Sequence, residues 1–261
     1  MRQILLTLLA VLMPTLGLAC TDMDECHLGS RGYHVIEPTG WDGAQPLPVM
    51  LHFHGWGRQG ETIVTHRRIA GATRPRGVLL IAPDGLGRTW DFRRPGSRDT
   101  AFANDVLADV QARYPTDGRL FVSGYSWGAL MAARFACESA AEIDALLLVS
   151  GAFPASEPCA ARPAPRRVSA VYGTTDTVLD FPYGPDGSDL VAVDLWRDRL
   201  DCPGAVTAEF QWSAVEWLTL DRHEWACGGG TLTFDVHPAS HLIPRGWFAR
   251  QLDEILGDGA G

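Results

Sequence analysis

The chain has no basic run. Its densest cationic patches are pairs such as Arg67-Arg68 and Arg93-Arg94, and 22 Lys plus Arg face 31 Asp plus Glu, a formal net charge of −9. That balance excludes a nucleic-acid partner, which would require a basic face, and disfavours an anionic membrane surface. No apolar stretch approaches the roughly 20 residues of a spanning helix, so no membrane span is expected. The six cysteines contain no C-x-x-C pair and no zinc-like spacing with histidine, so no structural metal is expected. Internal repeats, low-complexity tracts and Ser/Thr/Pro linkers are also missing, and 261 residues without such breaks read as one domain.

What is present is ample core material: 46% of residues are apolar and 20% charged, which rules out wholesale disorder. Residues 1–19 have the layout of a cleavable leader. Arg2 gives a positive start, Ile4 to Leu12 an apolar stretch, and Gly17-Leu18-Ala19 the small residues read by a signal peptidase. Lipidation at Cys20 is disfavoured, because lipoprotein signals usually carry Leu where Gly17 stands. The expectation is a secreted or periplasmic chain with one domain over 20–261. In an oxidising compartment the cysteines read as disulfides, with some buried free thiols as the alternative. Six cysteines allow 15 pairings, which sequence alone does not choose among; proximity along the chain suggests Cys20–Cys26, Cys137–Cys159 and Cys202–Cys227.

Strand-like and helix-like segments alternate. Tyr33–Ile36 reads as a short edge strand, and Pro48–His54, Gly77–Ala82, Leu120–Ser123, Ala145–Ser150, Val168–Tyr172 and Thr231–Val236 as buried strands. Helices are predicted over 61–74, Asp99–Tyr114, 127–139, Leu190–Leu200 and Arg245–Leu256. Strands apolar on both faces, separated by helices, indicate an α/β fold with a mostly parallel central sheet covered on both sides.

The chemistry gathers around Gly124-Tyr125-Ser126-Trp127-Gly128, a G-x-S-x-G sequence placed between a predicted strand and a predicted helix. A sharp strand–turn–helix with a strained serine at its tip leaves no room for a neighbouring Cβ, hence the glycines. The helix N-terminus also aims its unpaired N–H groups at that tip. Ser126 is the candidate nucleophile. The charge that develops on an attacked carbonyl oxygen needs fixed donors. One is the backbone N–H of Trp127; the other comes from His54-Gly55-Trp56-Gly57 after an earlier strand, with Trp56 first and Gly57 second. His54 is expected to brace that loop by hydrogen bonding.

A base and its orienting acid follow the serine in the order Ser, acid, His. Asp176, in the turn leaving strand 168–172, falls at the same sheet edge as Ser126, and Asp180 is the alternative. His223 belongs to a surface hairpin. His237 and His241 both follow the last strand; the longer loop at His241 lets its imidazole swing over the elbow, and Pro244 is expected to start the last helix. No third ligand accompanies the two histidines, and Pro238 argues against a helix presenting both, so no metal is assigned.

The chain resembles the secreted α/β-hydrolase family that groups polyhydroxybutyrate depolymerases with feruloyl and acetylxylan esterases. The resemblance runs from about Pro48 to Trp247 and rests on Leu51-His52-Phe53-His54-Gly55-Trp56-Gly57, Ala82-Pro83-Asp84-Gly85, the serine elbow, Gly173-Thr174-Thr175-Asp176-Thr177-Val178 and Ser240-His241-Leu242-Ile243-Pro244. It implies a triad of Ser126, Asp176 and His241, no cofactor, and a small or oligomeric ester as substrate. Two departures stand out: the residue after the nucleophile, usually small, is Trp127, and Ala239-Ser240 replaces glycines before the histidine. Trp127 is expected to reshape the acyl pocket, and Trp90 and Phe181 either to contact substrate or to lie in the core. A peptidase of the same fold and a catalytically silent secreted binding protein are the alternatives. The sequence does not set the oligomeric state.

Overall fold

The computed structural model describes residues 24–159, 163–179 and 189–257. The expected leader, Cys20, Asp180 and Phe181 lie outside them. Ten strands form one sheet among the described residues. They are β1 (Cys26–Leu28), β2 (Arg31–Ile36), β3 (Leu47–Phe53), β4 (Leu79–Pro83), β5 (Thr116–Tyr125), β6 (Ala145–Val149), β7 (Arg167–Gly173), β8 (Ala208–Val215), β9 (Leu218–Cys227) and β10 (Gly230–His237). The sheet order is β1-β2-β4-β3-β5-β6-β7-β10-β9-β8. The six strands from β4 to β10 in that order are parallel, and antiparallel strands flank them at both ends. Tyr33–Ile36 is therefore not the edge, because β1 pairs outside it.

Alternation along the central strands builds two cores. Val49, Leu51 and Phe53 of β3 and Leu146 and Leu148 of β6 face one side, where α3 (Arg98–Arg113) and α4 (Trp127–Glu138) cover them with Phe102, Val106, Val110 and Phe135. Met50, Phe121, Leu147 and Val149 face the other, beneath α1 (Gly60–Val64), α2 (Ala70–Thr73) and α6 (Trp247–Gly257), which supply Ile63, Ala70, Trp247, Phe248 and Leu252. Each large apolar side chain buried in this way contributes about 1.5–3 kcal/mol. The helix predicted over 61–74 is interrupted: α1 ends at Val64, and α2 begins only at Ala70. A 3₁₀ turn over Asp189–Val193 precedes α5 (Asp194–Arg199), and α6 starts at Trp247. Pro244 does not open that helix, because Gly246 intervenes at φ 80°.

A buried carboxylate locks the end of the sheet next to α6. Asp235 accepts from Arg222 Nε and Nη2, each at 2.8 Å, from Trp212 Nε1 at 2.8 Å and from Trp247 Nε1 at 2.7 Å. Arg222 also reaches Glu254 at 2.7 Å. β8, β9, β10 and α6 are thus tied at one point, and removing one partner from such a buried pair costs about 3–5 kcal/mol. Disulfides join Cys137 to Cys159 and Cys202 to Cys227. Cys26 is also disulfide-bonded, its expected partner Cys20 lying outside the described residues.

Candidate active site

The parallel strands deliver their carboxyl ends to one edge, where ligands meet sheets of this kind. The loop after β3 carries His54 to Gly57, β5 runs into Ser126, β7 into Asp176, and β10 into His241. Ser126 takes φ 58°, ψ −124°, a sparsely populated conformation for a residue with a side chain. Its N–H is anchored to the Val149 carbonyl at 2.8 Å. The flanking glycines are steric necessities. A Cβ on Gly124 would stand 2.1 Å from the Gly128 carbonyl oxygen, and one on Gly128 would stand 2.0 Å from that of Phe53. Helix α4 therefore packs directly on β5 and β3, with its first turn at the serine.

Asp176 and His241 meet. His241 Nδ1 donates to Asp176 Oδ2 at 2.6 Å. The other carboxylate oxygen accepts the N–H groups of Val178 at 2.9 Å and Leu179 at 3.2 Å, so the acid is pinned by its own turn. That hydrogen bond leaves Nε2 of the imidazole as an acceptor. Among the described residues Ser126 Oγ makes no hydrogen bond; serine–base contacts in ligand-free sites are often long and tighten around substrate.

Tyr125 is a site residue that the sequence reading passed over. Its hydroxyl donates to the His241 carbonyl at 3.1 Å, and its ring lies 4.9 Å from the imidazole. Burial and the nearby Asp176 carboxylate push its hydroxyl up to about 12, so it stays protonated and able to donate. The only sequence signal was its position between Gly124 and Ser126 in the elbow.

The loop after β3 is braced from several sides. His54 donates from Nδ1 to the Gly55 carbonyl at 2.9 Å and accepts the Gly85 N–H on Nε2 at 3.0 Å. Burial lowers its pKa, so it stays neutral. A Cβ on Gly55 would lie 3.6 Å from Ser126 Cβ, so the loop passes beside the serine. The Gly57 N–H is already engaged by the Arg88 carbonyl at 2.8 Å, which removes it as an oxyanion donor. The backbone N–H groups of Trp56 and Trp127 have no partner among the described residues. Trp56 is exposed, and its ring lies 6.3 Å from that of Trp127. The Trp127 ring packs on Phe92 at 5.4 Å, with the Arg93 guanidinium 5.1 Å from its centroid.

Trp90, a candidate for substrate contact, is 3% exposed. Its indole N–H donates to the His54 carbonyl at 2.8 Å, and its ring sits edge-on to Phe53 at 5.2 Å. It braces the loop from below. His237 is buried as well; its Nδ1 accepts the Ala239 N–H at 3.2 Å, and burial lowers its pKa to about 4. His223 lies in β9, paired with Glu209 of β8 at 2.9 Å, away from this edge.

This fold has counterparts in solved structures. An acetyl xylan esterase from Aspergillus awamori superimposes with a TM-score of 0.67 at 16% identity, covering 87% of this chain and 94% of that one. The chain has the α/β-hydrolase fold. No family model matches it. A probable feruloyl esterase C from Aspergillus clavatus is 30% identical over 166 residues, 60% of this α/β-hydrolase chain and 59% of the relative. A bifunctional acetylxylan esterase/xylanase from Neocallimastix patriciarum is 28% identical over 200 residues, 75% of this chain and 28% of the relative. The chain thus spans 59% of the length of the feruloyl esterase it matches. Feruloyl and acetylxylan esterases are the relatives that the motifs of this α/β-hydrolase resembled.

Proposed function

We propose that the protein is an exported serine esterase that cleaves carboxylic esters through an acyl-enzyme. Ser126 Oγ attacks the ester carbonyl while His241 Nε2 takes its proton, and the carbonyl π electrons move onto oxygen. Asp176 holds the imidazole in the productive tautomer and stabilises the imidazolium. The N–H groups of Trp56 and Trp127 receive the oxyanion. When the tetrahedral intermediate collapses, the bond to the alcohol oxygen breaks, and His241 gives its proton to that oxygen. Water then repeats the sequence on the acyl-serine and frees the acid. No step calls for a cofactor.

The observation that carries this reading is the His241–Asp176 hydrogen bond of 2.6 Å at the sheet edge where Ser126 is held in its left-handed elbow. The esterase relatives support ester over amide substrates, of feruloyl or acetyl type; a polyhydroxybutyrate oligomer is the other ester the motifs suggest. Two disulfides accord with an exported chain. Turnover of p-nitrophenyl butyrate by the protein and by Ser126→Ala tests it. The native protein is expected to turn the ester over, and the variant to lose on the order of a millionfold in kcat. Equal turnover by both would refute the assignment, and inactivity of both would favour a silent binding protein.

A further inference from the structure

Every cationic side chain among the 22 Lys plus Arg of this acidic chain is an arginine. Most arginines of the described residues are neutralised by neighbouring carboxylates, as Arg31 is by Asp99 and Arg76 by Asp253. Among the described residues Arg58, Arg67, Arg68, Arg74, Arg88, Arg93, Arg98 and Arg245 form no ion pair, and of these Arg67 and Arg68 line a cavity that His241 borders. One cavity of about 560 Å³ is bounded by His241, Tyr125, His66, Arg67 and Arg68. A second, of about 470 Å³, is bounded by the same two arginines together with Arg245. Arg67 and Arg68 thus stand between the two cavities, and neither cavity has a carboxylate in its wall.

The cluster is held in place. Arg68 donates to the Ile243 carbonyl in the loop that carries His241, and its N–H is bonded to His66 Nδ1 at 3.3 Å. Uncompensated guanidinium groups beside a cleft raise the local concentration of anions and match a planar oxyanion with paired donors. On the esterase reading, the imidazole must reach the oxygen of the departing alcohol. The cavity that His241 itself borders therefore takes the alcohol half of the ester.

We propose that this arginine-lined cavity is a subsite for an anionic group on the alcohol half, so that the preferred substrate is an ester whose leaving alcohol carries a carboxylate or a phosphate. Resting on the esterase reading, it accounts for a basic pocket at the catalytic histidine of a chain with net charge −9. Arg67 is exposed and anchors no other part of the fold, which makes it the residue to change.

The test compares γ-butyryloxybutyrate with its primary amide, which shares the acyl group and the one scissile ester, is close in size and lacks the charge. The native protein should show a KM about tenfold lower for the anion. That preference should shrink as salt is raised. Arg67→Gln should abolish it, and Arg67→Lys should restore part of it. Calorimetric binding of the same two esters to Ser126→Ala provides an arm that needs no turnover. Binding of the anion through Arg67 without any turnover would uphold the subsite and sink the esterase reading. Equal binding of anion and neutral amide, or a preference that survives in Arg67→Gln, would overturn the subsite. Inhibition by acetate and by inorganic phosphate separates the two sources, the stronger inhibitor identifying the group.

Discussion

His237 and His241 follow the same strand, and burial separates what they can do. His237 is 1% exposed, accepts a backbone N–H and is held neutral, whereas His241 reaches Asp176 through a hydrogen bond of 2.6 Å. His241→Ala is therefore expected to cost several orders of magnitude in kcat, as removal of a triad base does. His237→Ala should leave kcat within an order of magnitude and lower Tm. Steady-state kinetics on both variants, with Tm measured alongside, checks this, and an inactive His237→Ala beside an active His241→Ala would reverse the assignment. The meeting of Asp176 and His241 at the sheet edge that holds Ser126 was legible because each stands in a motif at a strand end. Tyr125 was not, because its role is a hydrogen bond to the carbonyl of a residue more than a hundred positions away. Of the two places open to Trp90, core or substrate contact, burial favours the core, where it braces a loop; an aromatic near a mouth looks the same in sequence either way.

The parallel strands were readable at the level of elements because burial on both faces leaves near-continuous apolar runs such as Leu79-Leu80-Ile81-Ala82. The hairpin of β8 and β9 was harder to read. β8 is mostly exposed and carries Glu209, Gln211 and Ser213, so no apolar run marks it. The break between α1 and α2 was hidden too. Thr65 caps α1 by donating to the Glu61 carbonyl at 3.0 Å, and the chain turns through His66 to Ile69 before helix resumes. That turn presents Arg67 and Arg68 to the cavity that His241 borders. The chain-order disulfide pairing held for Cys137–Cys159, which fastens the end of α4, and for Cys202–Cys227, which fastens β9 to the segment after α5. Each such closure contributes about 2–4 kcal/mol.

For the whole molecule, buried histidines set the response to acid. Burial lowers His52 to about 3 and His237 to about 4, from an ordinary value of 6.5. Between pH 6.5 and about 4 the unfolded chain takes up protons that these two refuse when folded. Their contribution to stability is complete above pH 6.5 and declines as pH falls toward their folded values. His34 acts in the opposite sense: burial would lower it, but the Asp84 carboxylate raises it overall. Tm is expected to fall as pH drops from 6.5 to about 4, and His237→Gln should flatten the decline. A native Tm that is level across that interval would contradict this account.

One serine, strained at a strand–helix elbow and backed by His241 and Asp176, is the nucleophile we propose for this α/β-hydrolase. Treatment with a fluorophosphonate, followed by mass spectrometry of the digested protein, reads that claim without assuming a substrate. The account predicts a single phosphonyl adduct on the peptide bearing Ser126 and no adduct on Ser126→Ala. An adduct on another serine, or an unmodified native protein, would contradict it.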